Sequence, residues 1–155
     1  MAFLVVAPGA VAGLGPWLVT GWRAEGDPPA LAVVAGAALL AAGVPVLLGA
    51  FRRFVVEGLG TPAPVAPTDR LVVGGLYRRV RNPMYLAVGG LIAGQALILW
   101  SAALVGYLAV FAAAVFTFVR LYEEPTLARE YGAEYAAYRR AVPGWWPRLR
   151  SWEQP

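Results

Sequence analysis

The 155-residue chain contains no cysteine and no histidine, and all 13 of its basic residues are arginine. These absences remove whole classes of chemistry. A zinc site of the Cys/His kind cannot form, nor can a Ser-His-Asp or Cys-His nucleophile. A lysine Schiff base and a P-loop lysine are likewise out. No strand followed by a G-x-G-x-x-G turn is legible, so a Rossmann dinucleotide site is not expected, and no metal site is expected either. Charge is scarce as well. Charged residues make up 14% of the chain and apolar ones 59%, against about 25% and about 45–50% in ordinary globular proteins. From Met84 to Val119 there is no charge at all. The composition therefore points to an all-α polytopic membrane bundle in one domain, residues 1–155. The net charge of +4 fits membrane topology better than nucleic-acid binding, because the arginines sit beside apolar stretches and not along a soluble face.

A hydrocarbon core of about 30 Å calls for about 20 apolar residues per helix. Residues 2–20 form the first candidate span, rich in glycine and carrying Pro8 and Pro16. Residues 29–51 form the second, with Pro45 expected to kink it. The apolar stretch Met84–Val119 has 36 residues, about 54 Å of helix. It must fold back on itself, so spans of 84–100 and 102–119 with a turn near Trp100 and Ser101 are expected. Twelve of the 13 arginines fall either between spans two and three or after span four. By the positive-inside rule, both termini and both polar clusters then face the cytoplasm. Residues 58–68 hold Pro62, Pro64 and Pro67 and read as a loop. After the last span, Leu127, Tyr131, Tyr135, Tyr138 and Val142 recur at helical spacing, which predicts a C-terminal helix at the cytoplasmic interface or packed over the site. Trp145, Trp146 and Trp152 fit an interfacial belt.

Two polar clusters flank the apolar hairpin, and the hairpin brings them to one face. The first runs from Gly75 through Tyr77, Arg78, Arg79, Arg81, Asn82 and Pro83 to Tyr85. The second is Arg120, Tyr122, Glu123, Glu124 and Pro125, followed by Tyr131, Gly132 and Tyr135. Their order and spacing resemble the isoprenylcysteine carboxyl methyltransferase family and, more loosely, the phospholipid methyltransferases of the same superfamily. The resemblance spans residues 69–147. It implies an integral membrane methyltransferase that uses S-adenosylmethionine in a cytoplasmic-side pocket. Carried onto this chain, it implies cofactor contacts from Asp69, Arg70, Leu71, Val72, Tyr77, Arg81, Asn82, Pro83, Met84, Tyr85 and Glu123. An arginine at the end of the last span would hold the acceptor. Arg120 is the nearest candidate, one residue off the family position and so turned by about 100° on an ideal helix. Many family members carry histidine where this chain has Asn82, which keeps a hydrogen bond but cannot exchange a proton near neutral pH.

The residue types suit that chemistry on their own terms. Methyl transfer from a sulfonium is an in-line displacement in which the protein aligns the partners and excludes water. Carboxylates suit an ammonium or ribose hydroxyls, tyrosine faces suit a sulfonium, and arginine suits a carboxylate. A carboxylate acceptor needs no base. An amine or thiol acceptor does, and Glu123 and Glu124 are the acidic candidates. Plainer roles exist for the same residues. Arg78 and Arg79 can serve as positive-inside anchors, Tyr77 and Tyr85 as interfacial aromatics, and Tyr131, Tyr135 and Tyr138 as packing. Glu123 and Glu124 could complement a helix N-terminus beginning near Pro125, and Asn82-Pro83 could simply start span three. Competing functions are an NADPH-dependent sterol-type reductase sharing the membrane core and a non-enzymatic small membrane protein. The expected partners are the bilayer and a lipophilic or lipidated acceptor, in what reads as a prokaryotic inner membrane.

Overall fold

A computed structural model describes residues 2–58 and 71–152. Among these residues there are helices, turns and coil but no strand, so the all-α expectation holds. Asp69, Arg70 and residues 59–68 of the expected proline-rich loop lie outside the described residues; Gly58 is the last residue of a helix.

The first helical stretch is α1 (Ala2–Gly9), a π turn (Ala10–Leu14) and α2 (Gly15–Thr20). Pro16 explains the π turn. Proline has no N–H, and its ring crowds the carbonyl four residues back. The turn widens to let it in, closing through Gly15 N–H to Ala10 O. Pro16 thereby withdraws a donor from the carbonyls of that turn. Gln95 Nε2 donates to Ala12 O at 2.7 Å and Tyr107 Oη donates to Val11 O at 2.9 Å. An unpaired carbonyl in hydrocarbon costs several kcal/mol, so these two bonds fix the first stretch against its neighbours. A Cβ at Gly15 would collide with the Tyr107 hydroxyl, so a larger residue would block that approach.

Helix α3 (Ala30–Gly58) continues through Pro45 without a break in the helix. It packs most extensively on α4 (Pro83–Ile98), the most buried helix of the bundle, with Ala87, Val88, Leu91, Ile92, Gly94 and Ala96 inside. The crossing is a glycine contact. A Cβ on Gly36 would lie 2.6 Å from Gly94 O, and one on Gly94 2.8 Å from Gly36 O. The backbones touch because neither residue has a side chain. Gly90, one turn earlier, has nothing near its missing Cβ. The small-residue pair at 90 and 94 therefore serves packing within the chain at 94.

The turn expected near Trp100 is there. Trp100 adopts a left-handed backbone (φ 50°) and Ser101 caps α5 (Ala102–Phe118), accepting from Leu104 N–H. The loop after α2 is buckled to this turn by Glu25. Its carboxylate takes Ser101 Oγ–H at 2.6 Å and Ala102 N–H at 3.1 Å, and its own N–H donates to Leu99 O. An acid at a helix N-terminus is stabilised by the exposed N–H groups there.

Helix α5 does not end where the expected span ends. It runs through a second π turn (Val119–Glu123) into α6 (Glu124–Ala141), a helical run of 40 residues. This π turn also precedes a proline: Glu124 N–H bonds Val119 O, and Pro125 follows. The run bends at Gly132, whose φ of 48° and ψ of −118° suit glycine alone. Beyond it the last helical turns and residues 142–152 fold back over the polar motif. Trp152 packs on Tyr138, whereas Trp146 is exposed.

Candidate functional site

The first polar cluster forms a 3-10 turn (Gly75–Arg78) and the N-terminus of α4, with Pro83 at its first turn. Gly75 sits at φ 58° against the Arg53 side chain. The returning C-terminal strap holds this cluster through its backbone. Arg81 N–H donates to Pro143 O, Asn82 N–H to Gly144 O, Arg148 N–H to Arg79 O and Trp152 N–H to Arg78 O. Asn82 Nδ2 adds a bond to Gly144 O at 3.1 Å, and Tyr138 Oη donates to Tyr77 O at 2.7 Å. Asn82 thus starts α4 and fastens the strap, although it also lines the cavity described next.

That cavity, about 90 Å³, lies between motif, π turn and strap. Of the residues singled out by sequence, Leu71, Val72, Tyr77, Arg81, Asn82, Glu123 and Glu124 line it. Four others stand outside that lining. Pro83 is fully buried in the helix start, and Met84 packs on Ala50, Val72 and Tyr77. Tyr85 acts one step back, donating from Oη to Glu123 Oε2 at 3.1 Å. Arg120 is largely exposed at the rim. Four lining residues were read from sequence only as packing or span residues: Val119, Leu127, Tyr135 and Tyr138. Val119 had no signal beyond its place at the end of the last apolar span; that of the other three was the helical recurrence from Leu127 to Val142. Those residues do form one cluster, with Tyr135, Tyr138 and Val142 buried at its centre and Leu127 and Tyr131 against it.

The electrostatics centre on Glu124, which is buried and meets three guanidinium groups. Arg81 Nη1 is 2.8 Å from Oε1, while Arg120 Nη1 and Arg139 Nη2 lie 3.3 and 3.0 Å from Oε2. Arg81 Nη1 also donates to Tyr135 Oη at 3.0 Å. Nothing in the sequence pattern marked Arg139, which arrives only because the chain folds back beyond Gly132. With both oxygens engaged by cations, Glu124 holds the site together as a counter-ion. Glu123 is the freer carboxylate. Burial pushes its pKa above the usual carboxylate range, with Glu124 adding to the rise, while the Tyr85 hydrogen bond and Arg81 oppose it. Both acids stand inside a continuous helical run, so neither complements a helix N-terminus. Among the described residues no group of acids could hold a metal ion.

A family model described as phospholipid methyltransferase matches residues 31–134, about two thirds of the chain. The chain belongs to the phospholipid methyltransferase family. The family match and the apolar helices mark it as a membrane-type methyltransferase in general, and the two clusters of the candidate site fall within the matched segment up to Glu134. Most of the strap lies beyond it. No curated protein and no solved structure matches the chain. Members of a methyltransferase family require a methyl donor, and the donor set here fits one that carries both charges. A guanidinium Nε is buried without a partner at Arg81, a partly buried carboxylate is present at Glu123, and tyrosine rings line the space between.

Proposed function

We propose that the protein is an S-adenosylmethionine-dependent methyltransferase, similar to the isoprenylcysteine carboxyl methyltransferases, acting on a lipophilic or membrane-partitioned acceptor. The observation that carries this reading is the convergence of Arg81, Glu123, Glu124 and Tyr135 around one cavity at the end of the apolar hairpin, in a chain of a methyltransferase family. When bound, the cofactor supplies an electrophilic methyl on a sulfonium. The chain's residues would bind and orient it. Glu123 suits the ammonium or a ribose hydroxyl, the rings of Tyr77 and Tyr138 suit the sulfonium, and Arg81 suits the carboxylate. Leu71 and Val72 would pack on the adenosine, with Asp69 and Arg70 preceding them in the chain.

Tyr85 would fix the orientation of Glu123 through its hydrogen bond, and the strap would exclude water. For an amine or thiol acceptor, Glu123 is the group to take a proton, since its raised pKa makes it a stronger base than an ordinary carboxylate. Arg120, exposed at the rim, would meet an anionic part of the acceptor. The arginine distribution supports a cytoplasmic site with both termini on the same side, and the short, arginine-only, Ala/Gly/Pro-rich sequence is the ground for placing it in a prokaryotic inner membrane.

Calorimetric titration of the detergent-purified chain with S-adenosylhomocysteine, with NADPH in parallel, tests the reading. Binding of S-adenosylhomocysteine that is lost in Glu123→Ala and weakened in Tyr85→Ala is expected. Binding of NADPH alone would replace the proposal with a reductase, and binding of neither by folded protein would remove the enzymatic reading.

A further inference from the structure

The strap has an inner edge that the site uses and an outer face that it does not. Backbone bonds from Arg81, Asn82, Arg148 and Trp152 tie the inner edge to the polar motif. On the outer face Trp146 is 82% exposed and Leu149 95%. Both lie beyond the last apolar helix, so the crossing of a span through hydrocarbon does not account for them. Trp145 sets the level at which they stand. Its ring packs on that of Phe116, with centroids 6.0 Å apart. Phe116 is an exposed residue of the uncharged helix α5. It precedes Arg120 by four residues, about 6 Å of helix. The strap therefore touches the lipid-facing flank of α5 just inside its first charge, and the residues after Trp145 continue that surface.

Charge identifies the partner. Between Arg139 and Trp152 stand four arginines and no acid, and Glu153 is the first acid to follow. Arg139 is paired with Glu124, and Arg148 donates to Ala141 O. Arg140 and Arg150 are exposed. Tryptophan settles at the headgroup level of a bilayer, and arginine beside it is drawn to anionic headgroups. A second copy of the chain on this face would bring the same positive charges into contact, an arrangement that like-charge repulsion disfavours.

We propose that the outer face of the strap, through Trp146, Leu149, Arg140 and Arg150, docks on the anionic headgroup surface of the bilayer that holds the chain. The contact adds to the backbone bonds that keep the strap over the cavity. It does not depend on which methyl donor or acceptor the site takes.

Because the chain has no cysteine, Leu149→Cys can carry a single nitroxide label at an exposed position. The labelled full chain is reconstituted in nanodiscs of phosphatidylcholine alone and of phosphatidylcholine mixed with phosphatidylglycerol. Power saturation then compares collisions with oxygen, which concentrates in lipid, and with a neutral nickel chelate, which stays in water. In the discs with phosphatidylglycerol the label should be shielded from the chelate, and in pure phosphatidylcholine it should be more exposed. Each arginine near an anionic surface shifts such an equilibrium by about fivefold. Adding Arg140→Gln and Arg150→Gln should therefore lower the docked-to-undocked ratio by about 25-fold and return the label to its level in phosphatidylcholine. High salt should act in the same direction. Equal exposure in both kinds of disc, or no effect of the two arginine substitutions, overturns the proposal; insertion driven by the label itself would give that result. Dipolar broadening between labels on two copies of the chain would assign the face to self-association and overturn the proposal as well.

Discussion

Removing the carboxylate of Glu124 should damage the fold more than removing any of the exposed cations around it. The side chains of Glu124 and Arg81 are only 9% and 13% exposed, and they meet at 2.8 Å. Taking away one member of a buried pair leaves the other desolvated and unpaired, which costs about 3–5 kcal/mol. Whole domains have only about 5–15 kcal/mol to lose. The same carboxylate's bonds to Arg120 and Arg139 count for much less. Those side chains are 61% and 42% exposed, and solvent-screened pairs contribute less than about 1 kcal/mol each. Glu124→Ala is therefore expected to lower the unfolding midpoint by about 6 °C or more, using about 2–4 °C per kcal/mol for a chain of this size. Arg120→Gln and Arg139→Gln should each shift it by no more than about 4 °C. Thermal unfolding in one detergent, followed by far-ultraviolet circular dichroism, supplies the comparison. A double variant, Glu124→Leu with Arg81→Leu, should recover most of the loss, because replacing both members of a buried pair is often neutral. The account of a buried Arg81–Glu124 pair is refuted if Arg139→Gln costs as much as Glu124→Ala, or if the double variant is no more stable than the single one.

Three further outcomes are expected. Gly36→Ala should cost about 1–3 kcal/mol in detergent unfolding, because its Cβ would lie 2.6 Å from a backbone carbonyl of α4, whereas Gly90→Ala, with open space around it, should be near neutral. Gln95→Leu should destabilise by about 0.6–1.7 kcal/mol by orphaning Ala12 O; no change would mean that the carbonyl finds another donor. The raised pKa of Glu123 gives a pH signature. The folded carboxyl binds its proton more tightly than the unfolded one, so stability is fullest below the ordinary carboxylate range near about 4.3 and falls as pH rises through the folded pKa. Midpoints measured from about pH 4 upward should show that decline in wild-type protein and a flatter profile in Glu123→Gln, and identical profiles would contradict the assignment.

Much of the fold was legible because hydrocarbon makes strict demands. An uncharged stretch of 36 residues cannot cross once, so the turn at Trp100 followed from length alone. The recurrence of Leu127, Tyr131, Tyr135, Tyr138 and Val142 located a buried face for the same kind of reason, since apolar periodicity reports burial. Periodicity does not report what a face is buried against. Tyr135 and Tyr138 therefore read as packing, although the strap turns them onto Arg81 and Tyr77. Arg139 was invisible for a related reason. Its pairing with Glu124 depends on the reversal at Gly132, and although Gly132 stands in the second cluster, nothing in its neighbours announces a positive φ there.

The two prolines at the π turns show where sequence reasoning had the right residues and the wrong geometry. Pro125 was read as opening a new helix, which would have set Glu123 and Glu124 at an N-terminus. Instead the helix continues through Pro125 by widening, as it does at Pro16. Each π turn takes up one extra residue, and one residue is about 100° of helical rotation. A helical wheel drawn straight from α5 into α6 is therefore wrong by that angle past Glu123. That angle is also the offset which separated Arg120 from the position the family pattern assigns to its acceptor arginine. In lipid, the carbonyls disturbed by Pro16 must be met by Gln95 and Tyr107. At the boundary, the turn before Pro125 does something else: it presents two consecutive acids to different partners. Glu123 turns to Tyr85 and Glu124 to three arginines. Replacing Pro125 with alanine would restore a donor N–H and let the helix tighten, so the substitution should stabilise the run locally while disordering the pairing of Glu123 with Tyr85. A binding defect without a loss of helix stability is the outcome that separates this role of Pro125 from a merely tolerated proline.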